Sequence, residues 1–112
     1  MTHEYDYLVI GSGIAGMSFA LKVAAKGGRV ALICKTTLEE SNTALAQGGV
    51  ASVTNLAVDN FDKHIHDTMV AGDWLSDPEA VAKVVSNAPA QIAQLIEWGV
   101  DFDKAADGSF DL

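Results

Sequence analysis

A glycine-rich turn near the N-terminus, Gly11-x-Gly13-x-x-Gly16, constrains the fold of this chain more than any other stretch. The apolar run 7–10 leads into the turn and an alanine-rich segment follows it, which is the strand, turn and helix order of a dinucleotide-binding motif. Gly11 allows the tight turn, Gly13 admits a pyrophosphate close to bare backbone, and Gly16 lets the helix pack against the strand. The context, more than the glycines alone, predicts a phosphate-binding helix N-terminus.

The segments around this turn predict an α/β fold, a Rossmann-like βαβ unit of a parallel sheet. We expect a strand over residues 5–10, a helix over 14–26 that ends at Gly27-Gly28, and a parallel strand over 29–34. The near-continuous apolar runs are typical of parallel strands covered on both faces. Cys34, the single cysteine, is expected to be a small buried apolar residue at the end of the second strand.

The residue after the second strand decides which nucleotide the unit would bind. Nicotinamide and flavin sites usually carry an acid there, which holds the adenosine ribose, but this chain carries Lys35. Spacing alone leaves three interpretations open: Lys35 contacts the 2′-phosphate of NADP, lies beside the adenosine of a flavin dinucleotide, or is a solvated lysine.

Residues 36–53 combine small and hydroxyl side chains with the pair Gly48-Gly49 and show no regular periodicity. They are either a surface loop or a backbone-lined stretch that passes close to a flat ligand, because glycines allow an approach that side chains would block. In the second case Ser41, Asn42 and Thr43 would add hydrogen bonds. Composition leaves both interpretations open.

Length and charge exclude several classes of protein. At 112 residues the chain is at most one domain, and its net charge of −8 argues against binding nucleic acid or an anionic membrane surface. The first apolar run is too short for a signal peptide or a membrane span. A lone cysteine forms no internal disulfide, which suits the cytoplasm.

The turn at 107–109, followed by a second apolar start, predicts a strand and suggests a piece of a longer protein.

The second half of the chain reads as helical, over residues 59–99. Asp59 or Asn60 is expected to cap a helix that Gly72 ends, and 76–79 has capping-box spacing for the next helix. Pro89 is expected to break or kink that helix. The two tryptophans are predicted to be core or groove residues. His64 and His66, two residues apart, point to different faces of a helix, so no metal site is predicted.

Several motifs together resemble the N-terminal flavin-binding segment of the succinate dehydrogenase and fumarate reductase flavoprotein family. They are Gly11-Ser-Gly-Ile-Ala-Gly16, Lys35, Ser41-Asn-Thr-Ala-Leu-Ala-Gln-Gly-Gly-Val-Ala51, the run from Asp62 to Gly72, Ser86-Asn-Ala and Trp98-Gly-Val-Asp-Phe-Asp103. The resemblance covers nearly the whole chain but about the first fifth of a typical member. The soluble branch of the family, the L-aspartate oxidases, is the better match.

One position separates the branches of this family. The respiratory members carry a histidine between the serine and threonine that precede the glycine pair, and this histidine attaches covalently to the flavin. The present chain has Asn42 there, and an amide cannot serve as that ligand. The resemblance therefore implies a non-covalent FAD. It also accounts for Lys35, which members carry in place of the acid, so the NADP interpretation is abandoned.

The resemblance implies a role for each part of the chain: a βαβ unit over 5–35, a flavin loop over 36–53 and supporting helices over 59–99, within residues 1–112 as the N-terminal part of an FAD-binding domain. The expected FAD-binding residues are Gly11, Ser12, Gly13, Ile14, Ala15, Gly16, Lys35, Asn42, Thr43, Ala44, Leu45, Ala46, Gln47, Gly48 and Gly49. No catalytic residue is expected in this segment, which alone would be inactive.

The implied reaction is the oxidation of the small molecule L-aspartate to iminoaspartate in de novo NAD biosynthesis. The hydride would pass to flavin N5, oxygen or fumarate would reoxidise the flavin, and quinolinate synthase would use the product. Two alternatives remain: a soluble fumarate reductase or succinate dehydrogenase-type flavoprotein, and a non-catalytic nucleotide-binding module.

Overall fold

The computed structural model describes residues 2–46, 48–104, 106, 108 and 109. Its elements are, in chain order, β1 (Tyr7–Ile10), α1 (Ile14–Ala24), β2 (Val30–Ile33), α2 (Asn42–Leu45), α3 (Phe61–Ala71) and α4 (Pro78–Glu97). The chain divides into two compact units between Gly49 and Val50. Most of the strand predicted near the end of the sequence lies outside the described residues.

The first unit contains the predicted βαβ arrangement. β1 and β2 pair in parallel, with Tyr7 opposite Val30 and Ile10 opposite Ile33, and α1 contacts both strands. Both strands are shorter than predicted. α1 ends at Ala24, and Gly27 follows in the left-handed conformation with φ of +83°, as expected of a glycine that terminates a helix.

The expectation that both faces of the sheet are covered is wrong for the described residues. Val9 is buried, whereas its neighbours Leu8 and Ile10 are 61% and 80% exposed. Successive side chains of a strand point to opposite faces, so the face of β1 that carries Leu8 and Ile10 is left open by the described elements. Cys34 also departs from expectation, since it is only half-buried and its thiol donates to the carbonyl of Thr36 over 3.4 Å.

An ion pair joins the strands where they begin. One carboxylate oxygen of Asp6 accepts the backbone N–H of Arg29 at 2.8 Å, and the other lies 3.5 Å from the Arg29 guanidinium. The backbone and then the side-chain hydrogen bonds from Arg29 hold the pKa of Asp6 below its ordinary value. Because Asp6 N–H in turn donates to the Arg29 carbonyl at 2.9 Å, the pair fixes the start of the β1–β2 register.

The second unit is built on α3 and α4. Asn60 caps α3 by accepting the N–H of Lys63 at 2.8 Å, so of the two predicted caps Asn60 is the one used. A small apolar core lies between the helices, formed by Met69, Val81 and Val85 with Phe61 and Ile65 packed against it. Among the described residues, no helix has the length and apolar character needed to cross a membrane.

The helix α4 differs from its prediction at two points. Asp77, and not Ser76, is its cap, with one carboxylate oxygen accepting the N–H groups of Glu79 and Ala80 at 2.9 and 3.4 Å. Pro78 occupies the first turn as predicted. Of the two outcomes expected at Pro89, a break or a kink, the break is wrong, because α4 continues through Pro89 to Glu97. Proline removes one backbone hydrogen bond, a loss that α4, with its apolar residues Val81 and Val85 in the core, tolerates.

Both tryptophans are exposed, so of the two positions expected for them, core or groove, the core is wrong. Trp74 is 60% and Trp98 38% exposed. Trp74 belongs to the turn after α3, where Asp73 and Trp74 themselves adopt positive φ of 51° and 59°. The rings of Trp74 and His66 are nearly perpendicular, with their centroids 5.7 Å apart. Gly72 ends α3 as predicted but with φ of −85°, so the left-handed residues of this turn are not glycines.

The cap of α4 gives a test of this assignment. Asp77→Ala removes the acceptor for two N–H groups at the helix start, and we expect a loss of about 1 kcal/mol in the free energy of unfolding. Ser76→Ala is the control, and urea unfolding followed by circular dichroism is the measurement. A larger loss for Ser76→Ala than for Asp77→Ala would show that the capping box predicted from the sequence is the true start.

Candidate functional site

The glycine turn joins the end of β1 to the start of α1. Gly11 has φ of +107°, which side chains rarely adopt, and its N–H donates to the carbonyl of Ile33 over 2.8 Å. The turn therefore leaves the sheet beside the carboxyl end of β2. In open parallel sheets this end is where ligands bind.

Gly16 sets how closely α1 approaches β1. A Cβ atom at this position would collide with the carbonyl oxygen of Gly11 and would come within 3.0 Å of Val9 Cγ1. The backbone carbonyl cannot move aside without distorting the turn. The chain itself therefore requires glycine here, for the close helix–strand packing expected of the third glycine of the motif.

At position 13, by contrast, packing within the described chain does not require a glycine. Its φ is −71°, which any residue adopts, and an added Cβ would lie 3.6 Å from Thr43 Oγ1, an ordinary contact. Packing therefore does not explain why this residue is a glycine. Because it has no side chain, the backbone of the turn stays bare beside the N-terminus of α1. This arrangement fits a pyrophosphate, which needs that close approach.

The N-terminus of α1 has the electrostatic character that a phosphate requires. Gly13 provides no side-chain cap and the first turn contains no acidic residue, so no carboxylate competes with an incoming anion. The first N–H groups of a helix have no intrahelical acceptor and carry the positive end of the helix dipole. One of them is engaged by a distant residue: Ile14 N–H donates to Thr43 Oγ1 over 3.0 Å.

The sequence suggested an irregular flavin loop, but part of this loop is helical. Residues Asn42–Leu45 form the one-turn helix α2, and Ser41 caps it by accepting the N–H of Ala44 at 3.2 Å. A serine at this position satisfies one of the orphan donors of the short helix. The side chains of α2, including Asn42, are exposed.

The remaining predicted site residues have fewer contacts. Lys35 is exposed, two residues beyond β2. At Gly48 and Gly49, an added Cβ would meet no atom within 4 Å, so nothing in the described chain requires glycine at either position. Gln47 lies outside the described residues. The structure thus brings Thr43 to the glycine turn and leaves Lys35 and Asn42 open to solvent.

The hydrogen bond between Thr43 and Ile14 is the feature that sequence reasoning missed. Thr43 was a candidate because of its neighbours in the loop, and Ile14 because of the turn. The two residues are 29 positions apart, and no periodicity or local motif relates them. The sequence offered one indication, since the first N–H groups of a helix need acceptors. It did not indicate which residue would supply one.

The two glycines are expected to respond differently to alanine. Gly16→Ala forces a Cβ onto the Gly11 carbonyl and should lower the free energy of unfolding by about 1–3 kcal/mol. Gly13→Ala fits the observed φ and space, so it should change stability by less than about 1 kcal/mol. Thermal unfolding of both variants beside the unaltered protein is the measurement. Equal losses would show that Gly13 also is required by packing.

The sequence matches the model of the FAD binding domain family over residues 6–112. Its curated relatives include L-aspartate oxidase of Arabidopsis thaliana, 48% identical over 111 residues, and L-aspartate oxidase 2-b of Nicotiana tabacum, 46% identical over 112 residues. These alignments cover 99% and 100% of this chain and 17% of each relative. A fumarate reductase flavoprotein subunit of Mycobacterium tuberculosis is 39% identical over 96% of the chain and 19% of its own length.

Solved structures of similar sequence also superpose on this chain. FrdA of the E. coli quinol fumarate reductase, in a mutant form, superposes with a TM-score of 0.86 at 34% identity, covering 100% of this chain and 19% of its own. Sdh1 of Mycobacterium smegmatis superposes with a TM-score of 0.87 at 32% identity, covering 97% of this chain and 18% of its own. The chain spans less than a fifth of the length of these relatives.

The cofactor named by the family model agrees with the geometry of the turn: a bare backbone at Gly13, an acid-free helix N-terminus and a glycine pair in the flavin loop. The chain therefore belongs to the FAD-binding domain family that includes the L-aspartate oxidases and the flavoprotein subunits of fumarate reductase and succinate dehydrogenase.

Proposed function

We propose that this chain is the FAD-binding segment of an L-aspartate oxidase, which oxidises L-aspartate to iminoaspartate in de novo NAD biosynthesis. The observation that carries the proposal is Asn42, at the start of α2, where respiratory members of the family have the flavin-linked histidine. Identity supports the same choice, since four relatives named L-aspartate oxidase are 44–48% identical to this chain and the fumarate reductase and succinate dehydrogenase relatives 36–39%.

The pyrophosphate of FAD would lie at the N-terminus of α1, cradled by residues 12–15, with the N–H of Ile14 remaining bonded to Thr43 Oγ1. Lys35 would lie beside the adenosine, and residues 42–49 would run along the ribityl chain toward the isoalloxazine ring. The support for the first of these roles is the acid-free first turn and the bare backbone at Gly13. Each contact uses backbone or a neutral side chain except Lys35, whose ammonium favours an anionic cofactor.

When bound, FAD would accept two electrons and a proton equivalent from the substrate carbon and pass the electrons to oxygen or fumarate. Residues of this chain would hold and orient it. We assign no catalytic residue to the chain, because the family resemblance implies that the arginine and histidine residues which bind substrate carboxylates and move protons lie elsewhere in the protein.

The iminoaspartate product would be used by quinolinate synthase, and we propose that both reactions take place in the cytoplasm. The single Cys34 suits a reducing compartment. The plant relatives are named as chloroplastic.

The test of the substrate is oxidation by the protein as its gene encodes it, loaded with FAD. We expect L-aspartate to be oxidised, with hydrogen peroxide formed in air, and succinate to be left unchanged. Each substrate is assayed by bleaching of the flavin absorbance under anaerobic conditions, which does not depend on the electron acceptor. D-aspartate serves as the matched control.

A second candidate is a soluble fumarate reductase or succinate dehydrogenase-type flavoprotein, which the Mycobacterium tuberculosis relative favours. Bleaching by succinate and not by L-aspartate would support this candidate against the first. Tight FAD binding with no bleaching by either would instead indicate a non-catalytic nucleotide-binding module.

Asn42 makes a separate prediction about how the flavin is attached. We expect acid precipitation of the holoprotein to release all of its flavin into the supernatant, because an amide does not form the covalent link. Flavin absorbance in the supernatant and pellet is the measurement. A flavoprotein with a histidyl-linked flavin, carried through the same procedure, is the control. Flavin retained in the pellet would contradict the argument from Asn42.

A further inference from the structure

The N-terminus of α1 is capped by a residue from another element. Gly13, the residue at the cap position, makes no side-chain hydrogen bond, and the N–H of Ile14 donates to Thr43 Oγ1 over 3.0 Å. Where a side chain caps a helix, the acceptor usually belongs to the residue just before the first turn. Here it comes from α2, in the middle of the flavin loop, so the bond crosses from one half of the proposed cofactor site to the other.

The two hydroxyl residues that flank Asn42 have different tasks. Ser41 accepts the N–H of Ala44 and so caps α2 locally, while Thr43 reaches the glycine turn. α2 has only four residues, too few for a helix to be stable by itself in water. Its position relative to the turn therefore depends on contacts such as the one made by Thr43.

We propose that Thr43 is a positioning residue that fastens the flavin loop to the N-terminus of α1 before the cofactor binds. The inference rests on the proposed function, since it concerns the same FAD site. Its consequence is that α2 and Asn42 are held in place in the FAD-free protein. Less conformational entropy is then lost when FAD binds, which raises the affinity.

The chemistry of a hydroxyl makes this compatible with phosphate binding. Thr43 Oγ1 accepts the bond from Ile14 with one lone pair and retains its own hydrogen as a donor. A phosphate oxygen that approaches the helix N-terminus would receive this O–H in place of the Ile14 N–H. The bond between the loop and the helix would then persist when FAD is bound.

The experiment compares Thr43→Val, which has the same shape without the hydroxyl, with Thr43→Ser, which keeps it. Thr37→Val is the matched control, because it makes the same change in the same loop, and the Thr37 side chain forms no hydrogen bond with any residue that the structure describes. Two readouts are used: hydrogen–deuterium exchange of peptides covering residues 12–17 and 41–46 in the FAD-free protein, and the Kd of FAD from flavin fluorescence.

In Thr43→Val we expect faster exchange in both peptides, an unchanged midpoint of thermal unfolding, and a Kd for FAD raised about 5-fold to 20-fold, the effect of one lost hydrogen bond with some loss of order. Thr43→Ser should restore both readouts and Thr37→Val should alter neither. Exchange or affinity unchanged in Thr43→Val would overturn the inference and leave the proposed function intact.

Tighter FAD binding by Thr43→Val would also overturn the inference, because it would mean that the hydroxyl competes with the phosphate for the Ile14 N–H. An unaltered protein that does not bind FAD would instead overturn the proposed function itself, and this inference with it.

Discussion

The close packing of α1 against β1 is the constraint on which the first unit depends. At Gly16 the helix lies so near the Gly11 carbonyl that no side chain fits between them. This contact sets the direction of α1, and with it the point at which the N-terminal N–H groups emerge. The same geometry fixes the helix dipole and the N–H donors of the first turn, which supports the phosphate site proposed at that point.

The glycines of the turn serve different physical purposes although the motif presents them together. Gly11 is needed for its positive φ and Gly16 for its lack of a Cβ. Gly13 satisfies neither need, which supports the proposal that the cofactor approaches the backbone there. Charge supports the same conclusion: in a chain with net charge −8, the first turn of α1 contains no acidic residue.

Local patterns predicted most of the fold because they act over a few residues. The strand–turn–helix order, the end of α1 before Gly27 and the cap at Asn60 each depend on neighbours in the sequence. The failures have longer-range causes. Pro89 lies inside a helix that packs on α3, and the open face of β1 reflects which surfaces the described elements cover. The helix and strand propensities of individual residues do not show which elements pack against each other.

The sequence by itself determined the FAD-binding family, through the glycine turn and the residues 41–51, and Asn42 supplied the argument about flavin attachment. Tertiary structure alone decided that Thr43, 29 positions along the chain, supplies the acceptor for the first turn of α1. The reason is physical: a motif specifies the groups that a site contains, whereas the pairing of a donor with a distant acceptor depends on how the chain returns in space.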